Sequence, residues 1–467
     1  MNYFFIGIGG IGMSAIARHL HRQGNHVSGY DLTPSRLTAE LEKEGMTVIY
    51  EDRPELIPPD TDMYVYTPAV PKETHVLQWA EASGKPMKKR AEMLSELTKG
   101  KRCIAVAGTH GKTSTSTMIA HLLSKSTLGC SAFLGGISKN FKSNEVTDSN
   151  SDLVVVEADE YDRSFLQLHP HISVITSVDP DHLDIYGDIE HLRSAFRQFA
   201  NQTDKEGKLI LKQGVNLFDE PDGHCHAEEN HCGHKHEHKQ PDTPCISYTV
   251  HGIEADYYAW NVRTSRGNIY YDLRTPKGVI YDIELCHTAL YNVENSVAAA
   301  AVALECGLSE YELRDGLKSY EGVERRFDFR VATKDVVYID DYAHHPEEIA
   351  ATIESIRFLY PRKRIVGIFQ PHLYSRTADL SDQFAKVLST LDETVLLPIY
   401  PAREKPIPGV TSGTILRKME TMSKYLVTKE QLDDLIPALY PEVLVTLGAG
   451  DIDRLVPKIE RILTDEN

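Results

Sequence analysis

Residues Cys103–Thr117 read CIAVAGTHGKTSTST, and this stretch decides the fold of the middle of the chain. Its first part, Ile104–Ala107, is a short apolar run typical of a buried strand, and a helical pattern follows at Met118–Leu123. Between them lie a glycine turn and a Lys-Thr pair. Glycine lets backbone N–H groups face an anion, and a helix N-terminus adds a partial positive charge. The sequence therefore predicts a nucleotide-phosphate site here.

This phosphate loop comprises residues 108–114. Lys112 would bring a full positive charge to the outer phosphates, and the Thr113 hydroxyl is suited to bind Mg²⁺. The strict pattern has another glycine five positions before Gly111, where this chain has Val106. The alternative is an ordinary strand-to-helix turn with a surface lysine. The residues predicted to contact the phosphates are Gly108, Thr109, His110, Gly111, Lys112, Thr113 and Ser114.

The composition indicates a globular protein of about three domains. The chain has 467 residues, of which 41% are hydrophobic, and its formal net charge is −18. This charge disfavours nucleic-acid binding, so anionic substrates must be held by local cations. No apolar run approaches the roughly 20 residues of a membrane span, so no membrane partner is expected. The seven cysteines are odd in number and scattered, which favours the reducing cytoplasm.

A second glycine turn follows the apolar segment Tyr3–Ile6. Residues 7–12 read GIGGIG and match GxGxxG, and an acid follows the next predicted strand about 20 residues on. Alone this signal is weak, because it suits NAD as well as the diphosphate of a UDP-sugar. The residues assigned to such a substrate are Gly9, Gly10, Ile11, Gly12 and Asp31, with Thr67 at the end of a later strand.

Acidic and histidine side chains follow two further predicted strands. Glu157 ends the unbroken apolar run LVVVE, and His182 follows the strand His171–Ser177. In open α/β sheets, ligands bind outside the carboxyl ends of the strands, which is where the phosphate loop also lies. The alternatives are a surface acid for Glu157 and a capping or packed histidine for His182.

Polar residues near the second predicted domain boundary are further candidates. Asn292 and Asn295 lie one turn apart near the start of the predicted helix Ala289–Cys306, where asparagine is often only a cap. Arg325 and Arg326 could bind a nucleotide or form an interdomain salt bridge. Beyond them, strands alternate with helical patterns, and polar clusters containing Asp341, Tyr342, His344 and Arg376 follow two of these strands.

The segment 219–244 reads DEPDGHCHAEENHCGHKHEHKQPDTP and interrupts the second predicted domain. Two cysteines and several histidines at short spacing could bind Zn²⁺ or Ni²⁺, but the spacing matches no regular zinc finger. We favour a solvated insertion with incidental metal affinity.

The motifs together resemble the Mur ligases, the ATP-dependent amide-forming enzymes of peptidoglycan precursor synthesis. The likeness covers nearly the whole chain. The matching segments are GIGGIGMSAIA, AGTHGKT, EADE, DPDHLD, YNVEN, GVERRF, DDYAHHPEE, FQPH with a following SRT, and GAGD. The family's loop has the form GTHGKT, which accounts for Val106.

The resemblance implies an α/β protein of three domains. These are a Rossmann-like domain at 1–99 that binds the UDP substrate, a P-loop ATPase-like domain with a mainly parallel sheet at 100–322, and a Rossmann-like domain at 323–467 that binds the amino acid and closes over the others. The implied reaction joins L-alanine to the lactyl carboxylate of UDP-N-acetylmuramate, with ATP and Mg²⁺, through an acyl phosphate. A monomer or a homodimer is expected.

The resemblance also implies roles for particular residues. Lys112, His182, Arg326 and Asp341 are similar to catalytic residues, and Thr113, Glu157 and His182 to magnesium ligands. Asn292, Asn295 and Arg326 are similar to nucleotide-binding residues, whereas Tyr342, His344 and Arg376 correspond to the amino-acid site. This chain departs from many members at Tyr291, where they have His, and from some at Leu373, where they have Arg.

Three other functions fit parts of the pattern. A recycling ligase that joins a tripeptide to the same nucleotide sugar is the nearest. An NAD-dependent oxidoreductase would explain GIGGIG and Asp31 but leaves Lys112 and Glu157 without a role. A non-catalytic nucleotide-binding protein is disfavoured because residues for every step are present.

Overall fold

The computed structural model describes residues 1–180, 183–218, 241–252, 254–402 and 404–465. Two compact units are present. The first comprises Met1–Trp260, Leu273–Ile280 and Glu294–Leu317, and the second comprises Asn261–Asp272, Tyr281–Val293 and Lys318–Asn467. The predicted boundaries at residues 99 and 322 divide the chain more finely and remain a prediction. The predicted α/β class is confirmed, because three mostly parallel sheets alternate with helices.

The first sheet is wholly parallel and has the strand order β3-β2-β1-β4-β5. Its strands β1 to β5 are Asn2–Ile6, His26–Tyr30, Thr47–Ile49, Met63–Tyr66 and Met87–Lys89. Helices α1 to α4 are Ile11–Arg22, Arg36–Lys43, His75–Ala82 and Arg90–Thr98, and a 3₁₀ turn covers Pro54–Leu56. Since the order reverses between β1 and β4, the glycine turn after β1 lies at the switch point where such sheets bind ligands.

The second sheet has ten strands in the order β15-β14-β13-β12-β11-β10-β6-β9-β7-β8. Strands β6 to β15 are Arg102–Ala107, Ser131–Ser138, Ser143–Val146, Leu153–Glu157, Ile172–Ile175, Lys208–Lys212, Cys245–Thr249, Tyr257–Ser265, Asn268–Thr275 and Gly278–Leu285. The strands from β12 to β7 pair in parallel, and β8 pairs antiparallel with β7. Two-residue turns join β13, β14 and β15, so these strands form an antiparallel section.

Helices α5 to α9 are Lys112–Lys125, Leu183–Tyr186, Ile189–Asn201, Asn292–Glu305 and Glu310–Lys318, with a 3₁₀ segment at Tyr161–Gln167. Helix α7 is amphipathic, and its Phe196 and Phe199 pack on Phe165 with ring centroids 5.2 and 5.0 Å apart. Helix α8 begins at Asn292 and not at the predicted Ala289, and the Asn292 side chain donates back to Thr288 Oγ1 at 2.8 Å.

The third sheet has the order β16-β17-β21-β18-β19-β20, and only β16 pairs antiparallel among the described pairings. Strands β16 to β21 are Asp328–Ala332, Val337–Asp341, Ile365–Phe369, Glu393–Leu396, Lys424–Leu426 and Val443–Leu447. Helices α10 to α14 are Pro346–Leu359, Tyr374–Leu388, Ser412–Lys418, Leu432–Leu439 and Val456–Asp465, and a 3₁₀ turn covers Asp451–Leu455.

Buried apolar strands form the cores. Strands β17, β18 and β21 are buried at every position, which explains why most of their residues are apolar. Within the described ranges, no helix combines the length and the apolar composition that crossing a membrane requires.

Candidate active site

The phosphate loop connects β6 to α5 in the first unit. Gly108 and Gly111 have φ values of +139° and +80°, which other residues rarely adopt. The Thr109 N–H donates to the Ser177 carbonyl at 3.1 Å, and the His110 N–H donates to Ser177 Oγ at 2.8 Å. The loop is therefore held against the end of β10, with its backbone in the conformation that the glycines were predicted to supply.

Lys112 lies in the loop and is already paired. Its Nζ donates to the Gly108 carbonyl at 2.6 Å and to Glu160 Oε1 at 2.8 Å. Glu160 is fully buried, and this burial raises the pKa of its carboxyl while Lys112 acts in the opposite direction. Glu160 was not among the site residues predicted from the sequence, although it ends the motif EADE. An acid that follows a strand beside a phosphate loop was the available signal.

Glu157 is brought to the same edge of the sheet, since Val106 and Glu157 are paired in the parallel strands β6 and β9. Glu157 Oε2 accepts a hydrogen bond from the Gly135 N–H at 3.0 Å. The Thr113 hydroxyl and a carboxylate are oxygen ligands of the kind that Mg²⁺ prefers, so these two residues fit the predicted metal. His182, the third predicted ligand, lies outside the described residues, as do residues 219–240 of the His-rich segment.

Asn295 lies beneath the phosphate loop in the first unit. Its Oδ1 accepts from Thr115 Oγ1 at 3.2 Å, and a Cβ on Gly111 would lie 2.7 Å from the same oxygen. Asn292 belongs to the second unit, where its amide donates to Thr288. The structure therefore gives Asn295 a contact with the loop itself, and its proposed contact with a nucleotide remains a prediction.

The glycine turn after β1, residues 7–12, is the second candidate loop and is called the diphosphate loop here. Asp31 Oδ2 accepts from the Gly9 N–H at 2.8 Å, so this acid supports the loop. Thr67 packs on the other side, where its methyl group would lie 2.7 Å from a Cβ on Gly7. Gly10 precedes α1, whose first residue is Ile11, so the loop opens at a helix N-terminus, which suits an anion.

Arg90 is a functional candidate that was not predicted from the sequence. It is the first residue of α4, directly after β5, and a Cβ on Gly12 would lie 2.5 Å from its Nη1. Its Nη2 donates to Asp159 Oδ2 at 3.0 Å. Arg90 thus places a cation between the diphosphate loop and the EADE segment. Its position at the end of a parallel strand was the signal that could have identified it.

In the second unit, Arg325 and Arg326 both lie over the ring of Tyr342, with 5.1 and 5.2 Å between guanidinium carbon and ring centroid. Arg325 is also bonded to Asp340 at 3.2 Å. Asp341 is buried at the end of β17 and accepts from the Ala343 N–H at 3.0 Å and from Thr352 Oγ1 at 2.9 Å. These bonds hold the turn that carries Tyr342.

Burial raises the pKa of Asp341 from 3.8 to about 6, although the nearby Arg326 charge and the two hydrogen bonds act in the opposite direction. Tyr291 lies near this carboxyl and donates to it, and burial is the main cause of its own raised pKa. Tyr291, where this chain departs from the family pattern, therefore contacts Asp341, which the resemblance assigned to catalysis.

A cluster rich in hydrogen-bond donors follows β17 and β18 in the same unit. The rings of His344 and His372 are 6.1 Å apart, and His372 stacks on Tyr400 at 5.9 Å. Arg376 Nη1 and His372 Nδ1 are buried and have no hydrogen-bond partner among the described residues. Burial, with the charge of Arg376 as a smaller cause, lowers the pKa of His372 to about 4. A guanidinium beside neutral imidazoles is suited to bind a carboxylate.

Comparison with known proteins shows relatives along the whole chain. Family models match for the Mur ligase family, catalytic domain, at residues 2–102, for the Mur ligase middle domain at 106–303, and for the Mur ligase, glutamate ligase domain, at 325–450. The chain is 47% identical over 466 residues to a UDP-N-acetylmuramate–L-alanine ligase of Porphyromonas gingivalis, covering 98% of each chain. It is 47% identical over 465 residues to the protein of the same name from Parabacteroides distasonis, covering 98% of this chain and 96% of that one.

Solved structures of Mur ligases also resemble this chain over its full length. The crystal structure of the UDP-N-acetylmuramate–alanine ligase of Thermotoga maritima matches with a TM-score of 0.82 at 26% identity and covers 100% of both chains. A murein peptide ligase of Psychrobacter arcticus matches with a TM-score of 0.66 at 21% identity, which shows a shared fold. From three matching family models and near-complete coverage by these relatives, the chain belongs to the Mur ligase family.

Proposed function

We propose that this protein joins L-alanine to the lactyl carboxylate of UDP-N-acetylmuramate and converts ATP to ADP and phosphate. The observation that carries the proposal is the phosphate loop with Lys112 at the end of β6, in a chain 47% identical to relatives with this named activity. Relatives of that name align over nearly the whole chain, which favours L-alanine as the acceptor over a tripeptide.

ATP is assigned to the phosphate loop, residues 108–114, with Lys112 at the outer phosphates. Mg²⁺ would be held by Thr113, Glu157 and His182, and would supply charge neutralisation at the phosphates. Asn292, Asn295, Arg326 and Asp341 are assigned to the nucleotide side of the reaction. The Lys112–Glu160 pair implies that the lysine exchanges part of its contact with Glu160 for a phosphate oxygen when ATP binds.

The reaction is assigned two steps. In the first, a lactyl carboxylate oxygen attacks the γ-phosphorus of ATP, the bond to the β,γ-bridging oxygen breaks, and ADP leaves. This step makes an acyl phosphate. In the second step, the neutral amine of alanine attacks the acyl carbon, phosphate leaves, and the amine loses its proton. Positioning and charge neutralisation are the main sources of rate acceleration in phosphoryl transfer, and Lys112 serves both.

The diphosphate loop is assigned to UDP-N-acetylmuramate, with Gly9, Gly10, Ile11 and Gly12 at the diphosphate and Asp31 and Thr67 supporting the loop. The cluster of Tyr342, His344 and Arg376 is assigned to the alanine carboxylate. The unpartnered Nη1 of Arg376 supports this assignment, because a buried charged donor requires an acceptor. We also propose a cytoplasmic location, which the free cysteines among the described residues support, and a monomer or a homodimer.

The proposal is tested by amide formation from equal concentrations of L-alanine and the tripeptide, with phosphate release followed in parallel. We expect L-alanine to react first, L-serine and glycine to react more weakly, and the tripeptide not to react. Preferential use of the tripeptide would replace the proposal with a recycling ligase. Tight binding of NAD, measured by calorimetry, would instead support the oxidoreductase.

Arg376→Ala tests the alanine site separately. Because the change removes the cation assigned to the alanine carboxylate, we expect the KM for alanine to rise about 100-fold or more, which corresponds to the loss of one charged hydrogen-bonded contact. The KM for ATP should stay within about threefold of the wild-type value. Equal increases in both KM values would show that the substitution disturbs the fold. They would contradict the assignment of Arg376 to the alanine carboxylate.

A further inference from the structure

The hairpin formed by β7 and β8, Ser131–Val146, has no role in the function proposed above. It ends one side of the central sheet, and its β8 is the edge strand. The hairpin was not predicted from the sequence. Within the first unit it contacts α1, the helix that begins at the diphosphate loop. One hairpin therefore connects the central sheet with the helix that follows the predicted substrate loop.

Asn144 makes the contact with the diphosphate loop. The residue is fully buried, and its Nδ2 donates to the Ile11 carbonyl at 2.6 Å and to Ser14 Oγ at 2.9 Å. Its Oδ1 accepts from Arg18 Nη1 at 2.5 Å. All the hydrogen-bonding groups of this amide are thus directed at the first two turns of α1, and one of them holds a carbonyl of the loop itself.

Arg18 fixes the orientation of the Asn144 amide. Its side chain is 2% exposed, and it pairs with Glu44 at 2.7 Å and with Glu40 at 3.3 Å. Since Arg18 can only donate, Asn144 must present its oxygen to Arg18 and its NH₂ group to Ile11. The direction of the hydrogen bond to the loop is therefore set by a buried charge.

The other strand of the hairpin reaches the ATP end of the site. The Gly135 N–H donates to Glu157 Oε2 at 3.0 Å, and a Cβ at Gly135 would overlap that carboxylate. Gly135 lies within the irregular part of the β7–β8 pairing, between Phe133 and Ser138. A single hairpin thus holds both the acid assigned to the metal and the loop assigned to the sugar nucleotide.

We propose that Asn144 is a positioning residue, which sets the diphosphate loop relative to the phosphate loop so that the lactyl carboxylate reaches the γ-phosphate. This inference rests on the proposed function. Asn144 would affect the rate through the position of the bound substrate, because a displacement of about 1 Å in a bound reactant lowers a rate on the order of 100-fold. Both polar atoms of the amide are bonded within the protein, so Asn144 works through the Ile11 carbonyl.

Asn144→Asp tests the inference with almost no change of shape. Aspartate keeps an oxygen for Arg18 but cannot donate to the Ile11 carbonyl, and its second oxygen repels that carbonyl. We expect kcat/KM for UDP-N-acetylmuramate to fall about 30-fold, with the KM for ATP within twofold and the Tm within a few degrees of wild type. Ser14→Ala removes the second contact of the amide together with the hydrogen bond that Ser14 Oγ donates to the Ile11 carbonyl at 3.0 Å, and it should shift the same parameter by about threefold.

Glu145→Gln is the matched control. It lies next in sequence in the same interface, and its carboxylate is bonded to His19 at 3.1 Å and also accepts from Arg22 and Thr147. We expect a lower Tm and an unchanged kcat/KM. Equal losses in Asn144→Asp and Glu145→Gln, or less than a threefold loss in Asn144→Asp, would overturn the positioning role.

The wild-type enzyme in the same assay separates this inference from the proposed function. If the wild type does not ligate L-alanine, the proposed function is wrong. Calorimetry with UDP-N-acetylmuramate then decides the role of Asn144, and we expect its Kd to rise about tenfold in Asn144→Asp. An unchanged Kd in that case would overturn the inference as well.

Discussion

In the proposed reaction, Lys112 supplies positive charge at the transferred phosphate. Because Lys112 is paired with Glu160, replacing Lys112 does more than remove one cation. Glu160 is fully buried and paired with Lys112 at 2.8 Å. Breaking a buried ion pair by deleting one partner leaves an uncompensated charge, which destabilises proteins by roughly 3–5 kcal/mol. A simple loss of activity in Lys112→Ala would therefore combine a chemical effect with a structural one.

A pair of variants separates the two effects. We expect Lys112→Ala to abolish ligation and lower the Tm, and Lys112→Ala with Glu160→Gln to recover most of the Tm but no activity. The second substitution replaces the buried carboxylate with a neutral amide of the same shape. Thermal unfolding and phosphate release on both variants provide the measurements. Near-normal turnover in either variant would show that the ATP site is assigned wrongly.

The raised pKa of Asp341 predicts that the stability of the second unit depends on pH. Burial raises its pKa from 3.8 to about 6, so between these values the native state holds a proton that the unfolded state has released. The contribution of this group to stability therefore falls as pH rises from 4 to 6, by about 3 kcal/mol for a shift of about two pKa units.

Asp341→Asn should remove this dependence, because asparagine does not titrate. We expect the unfolding free energy of the wild type to decrease relative to that of the variant between pH 4 and pH 7. Denaturant unfolding at several pH values gives the measurement, and Asp335→Asn, at an exposed carboxylate, is the control. If the unfolding free energies of wild type and Asp341→Asn changed in parallel with pH, the raised pKa of the buried Asp341 carboxyl would be contradicted.

At the scale of elements, the phosphate loop depends on two conditions at Gly111. The residue is left-handed, with a φ of +80°, and a Cβ would lie 2.7 Å from Asn295 Oδ1. The left-handed backbone costs any other residue roughly 1–2 kcal/mol. A Cβ at this position would also displace the Asn295 side chain, which Thr115 contacts. The loop and the start of α8 are thus fitted to each other.

Gly111→Ala should therefore lose activity on the order of 100-fold, because the displaced loop no longer positions the phosphates. Gly84→Ala is the matched control, since Gly84 has a φ of +69° and open space around it. We expect both variants to lose stability, Gly111→Ala more because of the contact with Asn295, and only Gly111→Ala to lose activity. Similar activity in the two variants would show that the contact with Asn295 is not required.

At the scale of the whole molecule, the His-rich segment is an insertion between two parallel strands. Leu209 of β11 pairs with Cys245 of β12, so the connection must return along the sheet by about 17 Å, the length of a five-residue strand. After removal of 222–240, the flanking residues still span about 40 Å when extended. The shortened chain can therefore make the same crossover connection.

We expect deletion of 222–240, with a short Gly/Ser linker, to leave ligase activity within a few-fold of wild type. The deletion keeps Asp242, which pairs with Lys205 at 3.0 Å. Activity is measured with and without zinc on the intact and the shortened chains. A collapse of activity in the shortened chain, together with a response of the intact chain to zinc, would give the segment a functional role.

The sequence determined the parts of this protein that depend on local pattern. Strand β9 has the predicted bounds, Leu153–Glu157, because an unbroken apolar run between polar residues allows no other buried arrangement. The turn conformation at Gly7, Gly108 and Gly111 also follows from the residue type, since a positive φ favours glycine strongly. The order of motifs was enough to indicate the family.

The tertiary structure alone decided the contacts between residues far apart in the chain. The hairpin β7–β8 was missed because its strands SAFLGGIS and SNEV contain glycine and polar residues, and the partners that bury them lie elsewhere in the sequence. Asn144 and Ile11 are separated by 133 positions, and Lys112 and Glu160 by 48. Pattern and spacing report only neighbours along a helix or strand, whereas these pairs form when separate elements pack together and bury polar groups that must find partners.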